Sequence, residues 1–320
     1  MSRALPWPRP APVRAELRVA VPRSRGYWTR SRERLFANHF AMFFGAILLV
    51  FSAVAAAAPL ISGLVTHYEP TAQNLDGVFA PPSPAHWLGA DELGRDTLTR
   101  LVWGARVSLG VGFWTVALYI AIGGSVGLAA GFFGGAIDEM LMRFVDMLLA
   151  IPTLFLLILI TAILPLRIGP DKGWFTIQHD ALSLTVIIAL TVWGRVARLV
   201  RGETLAIAGR EFVVGARGVG ASNTRIVLRH ILPNVLPVMI VSASLGVGQI
   251  ILTEASLDFV GLGVQPPVPS WGNMLLNAQS YLFHSIWLVL WPGVAIVLAV
   301  LSANIFGNAV RDAFDPRLTS

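Results

Sequence analysis

Few residues in this chain combine the type and spacing that chemistry needs. Glu254 and Asp258 stand four apart, so a helix would carry them on one face. Two carboxylates near the outer end of an apolar helix could receive a cationic group such as a peptide amine, which makes them candidates for a translocation path. They could equally finish the helix by hydrogen bonding to the turn at Phe259–Gly263, since charge at the end of a span costs less than at its centre. Both readings stand. The six histidines (His39, His67, His86, His179, His230, His284) are dispersed, with none at metal-ligand spacing. There is no cysteine, no H-E-x-x-H and no G-x-S-x-G. A phosphate-binding P-loop needs a lysine after its glycine, and the one lysine, Lys172, lies in GPDKGWF and does not fit. No catalytic, cofactor or metal site is expected, and the chain does not read as an enzyme.

The other concentration of polar residues is Glu211–Pro233, EFVVGARGVGASNTRIVLRHILP. It reads as two short helices, Glu211–Val219 and Asn223–Arg229, separated by Gly220, Ala221 and Ser222. Gly220 suits the hinge because it adopts backbone angles that other residues avoid. Ser222 suits the cap of the second helix, and Pro233 the first turn of the next one. Arg217, Arg225 and Arg229 supply charge. Phe212, Val213, Val219, Ile226 and Val227 supply an apolar face, which must be buried against the lipid interface, the protein's own membrane domain or a groove on a partner.

The elements that would hold these residues are membrane spans. Of the 320 residues 55% are hydrophobic and 13% charged, about half the share in a soluble domain. Five uncharged stretches are long enough to cross a bilayer: Phe40–Val65, Val107–Ile137, Met147–Leu166, Ile231–Thr253 and Ser285–Val310. A sixth, Ala181–Gly194, is long enough only if it continues through Val196–Val200 with Arg195 and Arg198 snorkelling to the interface. The expected fold is all-α, a polytopic membrane protein of about six transmembrane helices. With the N-terminus inside, the inner segments carry 19 basic residues and the outer ones five, while the acidic residues divide nine and nine. That bias follows the positive-inside rule and puts both termini and the 211–233 segment in the cytoplasm.

The chain divides into a basic tail (1–34), a first span with an extracytoplasmic segment (35–106), a core of five spans (107–310) containing the cytoplasmic loop 201–233, and a short C-terminal tail (311–320). The first tail holds nine arginines. Beside a span, such a tail fits anionic lipid headgroups better than nucleic acid. Gly123, Gly127, Gly131 and Gly135 make a flat stripe for close helix contact, with a substrate path as the alternative. In IDEMLMRFVD, Arg143 is spaced to pair with both Glu139 and Asp146.

These blocks resemble a known family. The loop is similar to the EAA loop of ATP-binding-cassette importer permeases. Aligned on Gly220, it reads Val214, Gly215 and Ala216, three residues, Gly220, nine residues, then His230, Ile231, Leu232 and Pro233. Val214, Gly215 and His230 depart from the family pattern. HWLGADELGRDTLTRLVWGARVSL, MLMRFVDMLLAIPTLFLLILI, SLDFVGLGVQPPVPSWGNML and RDAFDPRL resemble the second permease of dipeptide, oligopeptide and nickel importers. The resemblance implies a type I importer permease bundle in the bacterial inner (cytoplasmic) membrane. It implies a heterodimer with a sister permease, two ATP-binding subunits that hold ATP and magnesium, and an extracytoplasmic substrate-binding protein. It assigns the ATPase-coupling role to Glu211, Val214, Gly215, Ala216, Arg217, Gly220, Ala221, Ser222, Arg225, Leu232 and Pro233. Peptides are the implied cargo, with nickel, glutathione or another small solute as alternatives. An ion-coupled secondary transporter would need midplane carboxylates, which the span centres lack.

Overall fold

A computed structural model of the chain describes residues 27–163 and 176–315. Most of the basic tail, residues 164–166 of the third expected span, Lys172 and residues 316–320 lie outside the described residues. The described residues are helical, without strands. In order the helices are α1 (Tyr27–Ala37), α2 (His39–Ala56), α3 (Ala58–Ile61), α4 (Thr97–Phe133), α5 (Gly135–Ala150), α6 (Thr153–Ile163) and α7 (Thr176–Val192). They continue with α8 (Gly194–Ala208), α9 (Glu211–Gly218), α10 (Asn223–Ile226), α11 (Leu232–Phe259), α12 (Ala278–Tyr281) and α13 (Trp287–Phe314).

Four helical runs are long and apolar enough to cross a membrane alone: α2, α4, the continuous run Asn223–Phe259, and α13. Counting each of two bent pairs as one span brings the total to six. Helices α5 and α6 meet at 86°, and α7 and α8 at 46°. The first bend differs from the straight span expected from Met147 to Leu166. Pro152 explains it, because a proline removes a helix hydrogen bond and crowds the preceding turn. The second pair runs on to Ala208, beyond the expected limit at Val200.

Helix α4 is the hub, packed against α2, α5, α7, α8 and α11. It starts ten residues before the expected span because Asp96 caps it, accepting the Thr99 amide at 2.8 Å. On α4 the glycine stripe is a packing device. A Cβ on Gly123 would lie 2.6 Å from the Trp193 carbonyl, one on Gly127 2.5 Å from the Ala197 carbonyl, and one on Gly131 2.7 Å from Thr204. Only glycine lets α8 approach this closely. Gly135 falls outside the contact, at φ +56° in the turn that starts α5.

That turn brings α5 back beside α8, where charge reinforces the contact. The Arg201 guanidinium donates to both Asp138 oxygens at 2.5 and 2.6 Å, and Arg198 donates to Asp146. Arg143 pairs with Glu139 at 2.5 Å. Its expected second partner, Asp146, is instead drawn to α8, because a facing helix offers a guanidinium directly.

At the opposite end, the segment before α4 folds over the bundle around buried ions. Asp91 accepts from Arg95 at 2.7 Å and lies 3.1 Å from Arg100, and Arg95 also donates to Glu92 at 2.6 Å. His86 Nδ1 lies 3.0 Å from the capping Asp96. Buried charges persist only when paired and hydrogen-bonded, so this cluster pins the segment to the start of α4.

Overpacking a close helix contact costs roughly 1–3 kcal/mol. Gly127→Ala is therefore expected to lower the thermal midpoint and the monodisperse yield of the purified protein. Gly110→Ala, where a Cβ meets nothing within 4 Å, is expected to leave both unchanged; equal behaviour of the two variants would contradict the α4–α8 account.

Candidate functional site

The 211–233 segment forms the hairpin its sequence suggests. Helix α9 ends in a Schellman turn: the Gly220 amide donates to Arg217 O and the Ala221 amide to Ala216 O, both at 3.0 Å. Gly220 takes φ +80° at the turn, with open space where a Cβ would stand. Its glycine is therefore demanded by backbone conformation and not by crowding. Ser222 caps α10 by accepting the Arg225 amide at 3.4 Å.

The apolar residues of the hairpin divide between two faces. Val213, Ala216 and Ile226 are buried against the bundle, together with Ile231. Phe212, Val214 and Val219 face away, Val219 at 86% exposure. Glu211, Gly215, Arg217, Ser222 and Arg225 are also exposed, and Ala221 is half-buried. The Arg217 guanidinium lies 5.3 Å from the centre of the Phe132 ring, a cation–π contact that ties α9 to the end of α4.

No break separates the second arm from the span that follows. The helix runs from Asn223 to Phe259, passing through a π-turn at Val227–Ile231. The Leu232 amide reaches back five residues to Val227 O. This wider turn accommodates Pro233, which has no amide hydrogen to give. Leu232 and Pro233 thus lie within a continuous rod and not at the start of a separate one.

Helix α11 also lines a cleft of about 450 Å³ in the bundle. Ser242, Gln249 and Thr253 of α11 face Tyr119 of α4, Thr153 of α6 and Arg195 of α8 across it. Arg195 donates to Thr153 Oγ1 at 3.4 Å. Its side chain is exposed. It neighbours Trp193 and Val196, which meet Gly123, and Gly123 lies ten residues before the end of α4, or about 15 Å along the axis.

Glu254 and Asp258 are not among the cleft-lining residues. Both are buried, at 0% and 1% exposure. Ser108 of α4 donates to Glu254 at 3.0 Å. Asp258 accepts the Val264 amide at 2.6 Å and the Ser270 hydroxyl. Trp271 closes the arrangement, its amide donating to Ser108 Oγ at 3.1 Å and its indole to Leu101 O at 3.0 Å. These contacts knit the segment after α11 onto α4. The sequence reading missed Arg195 and Gln249 as cleft residues. Arg195 carried a signal nonetheless, as the arginine of its helix nearest the middle of the apolar run.

An all-helical bundle of up to six spans, with a polar hairpin continuous with one span and a cleft behind it, is the architecture of a membrane permease. Residues 123–320 match the family described as "binding-protein-dependent transport system inner membrane component". Residues 26–82 match the "N-terminal TM domain of oligopeptide transport permease C". The dipeptide transport system permease protein DppC of Alkalihalophilus pseudofirmus is 39% identical over 92% of this chain and 91% of its own. The oligopeptide transport system permease protein OppC of Bacillus subtilis and the glutathione transport system permease protein GsiD of Pectobacterium atrosepticum are each 36% identical, over 92% of both chains. The chain belongs to this family of binding-protein-dependent permeases: it is a multi-pass permease subunit of an ATP-binding-cassette importer.

The Gly220 turn is testable by itself. A side chain at φ +80° costs roughly 1–2 kcal/mol, except for asparagine, which tolerates that region. Limited trypsin digestion of the purified protein should cut faster at Arg217 and Arg225 in Gly220→Val and at the wild-type rate in Gly220→Asn. Equal rates in all three proteins would show that the turn is not held by Gly220.

Proposed function

We propose that this chain is one of two permease subunits of a peptide importer in the bacterial inner membrane, driven through its 211–233 hairpin by separate ATPases. The observation that carries the reading is the unbroken helix from Asn223 to Phe259. One end of this rod is the hairpin, and its middle lines the cleft. Any displacement of the hairpin by a partner therefore moves a wall of the cleft directly. Closure of two ATPases on ATP would supply that displacement and alternate the side from which the cleft opens.

The chain has no P-loop of its own, so ATP and magnesium belong to the partner subunits. The excess of arginine in the hairpin, the first tail and the C-terminal tail supports a cytoplasmic position for all three. The exposed Phe212, Val214 and Val219 form the apolar face that an amphipathic helix presents to a groove. On this reading Arg225 adds charge at the same contact. A sister permease completes the path, and an extracytoplasmic binding protein delivers the cargo. The named relatives transport dipeptides, oligopeptides and glutathione, which are peptides in every case. Their shared chemistry supports peptides as the cargo.

Val219 is the most exposed apolar residue of the hairpin, so replacing it leaves the bundle intact. Val219→Asp is expected to insert normally and to lose at least about 90% of the ATPase that co-purifies with the wild-type chain, since a buried unpaired charge is heavily penalised. Full retention of the ATPase by Val219→Asp would exclude the hairpin as the docking element. Gly220→Val, in the assembled importer, is expected to keep ATP hydrolysis while uptake falls.

A further inference from the structure

We propose that Arg195 is a specificity-determining residue of the cleft, holding the carboxylate of a peptide as it crosses. The proposal rests on the peptide-importer reading above.

Three arginines descend α8 at intervals of three residues: Arg195, Arg198 and Arg201. Two of them meet carboxylates of α5. Arg201 is doubly bonded to Asp138 and Arg198 is bonded to Asp146. Arg195, the first of the three, meets no carboxylate among the described residues, and its side chain is exposed. Its hydrogen bond goes to a neutral hydroxyl, Thr153 Oγ1, at 3.4 Å. An arginine within a membrane-spanning bundle is rare, and such residues face a cavity or a pathway when they have a role there. Arg195 does face the cleft.

The surrounding chemistry selects the ligand. Among the cleft-lining residues there is no acidic side chain and no second cation. Ser242, Gln249, Thr253 and Tyr119 offer uncharged hydrogen-bonding groups suited to peptide amides. Arg195 offers a planar fork whose geometry matches a carboxylate. Every peptide with a free C-terminus carries that group whatever its side chains. A single arginine could therefore engage a broad set of peptides while the neutral lining leaves their sequence unread. The buried Glu254 and Asp258 cannot reach cargo without unpicking their bonds to Ser108, Val264 and Ser270, so the anion site is the part of the pathway with chemistry to offer.

The test uses the complete importer in proteoliposomes, with its binding protein and ATPases. Uptake of a dipeptide and of its C-terminal amide is measured at equal occupancy of the binding protein, in wild type and in Arg195→Gln. Selectivity of the binding protein cancels in the ratio of ratios, which isolates coupling between Arg195 and the carboxylate. The acid-to-amide uptake ratio should fall by roughly tenfold or more in Arg195→Gln, the scale of a charged hydrogen bond. Arg195→Lys should recover part of it. ATP hydrolysis stimulated by the loaded binding protein should persist, showing that the variant assembles. If uptake of acid and amide falls equally, Arg195 serves the protein's own structure or a partner's carboxylate, and the proposal is overturned. An unchanged ratio with unchanged uptake overturns it too. If wild type moves neither compound, the peptide-importer reading fails before any variant is measured.

Discussion

The close approach of α4 and α8 is the constraint on which the rest of this structure depends. Apolar side chains gain little by leaving lipid for protein, so association inside a bilayer depends on fit. Gly123, Gly127 and Gly131 provide it by letting the backbone of α8 lie directly on α4. The ion pairs from α5 to Arg198 and Arg201 then close the third side. With α8 fixed in this position, Arg195 lines the cleft, and the chain leaving α8 at Ala208 starts the hairpin beside the end of α4.

From there the consequences are mechanical. One face of the hairpin is seated on the bundle through Val213, Ala216 and Ile226. Its turn is set by a Schellman motif, and its second arm is the beginning of the α11 rod. Beyond the turn, that arm runs as helix to Gln249 and Thr253, through the π-turn at Val227–Ile231 and past Pro237. The other end of the rod is also held, since Glu254 is bonded to Ser108 of α4 and Asp258 to the segment that folds back over α4. Such an element is suited to rocking between two positions as a body, which is what alternating access requires.

Much of this was legible in the sequence where one strong signal dominated. Uncharged runs of about 20 residues located the spans, and the glycine, serine and proline of the 211–233 segment located the hairpin's turn and cap. The sequence was less informative where several weak effects compete. Pro152 could have sat harmlessly in a span, yet it marks an 86° bend. Arg143 had two acids at helical spacing, yet Asp146 went to Arg198, because a tertiary partner on a facing helix outweighs a neighbour on the same one. The cleft was the least legible part. It is built from single residues on α4, α6, α8 and α11, and no spacing along one chain segment reveals which of them converge.

The central claim is that motion of the hairpin is transmitted to the cleft. The chain has no cysteine, so Leu199→Cys places a single thiol of this subunit at the cleft. Its reaction with a membrane-impermeant maleimide can be followed from each face of proteoliposomes holding the complete importer, with and without trapped ATP. The account predicts labelling from the cytoplasmic face without nucleotide and from the outer face with ATP trapped, and no such exchange in Gly220→Val. Labelling from the same face in both nucleotide states of the wild type would contradict it.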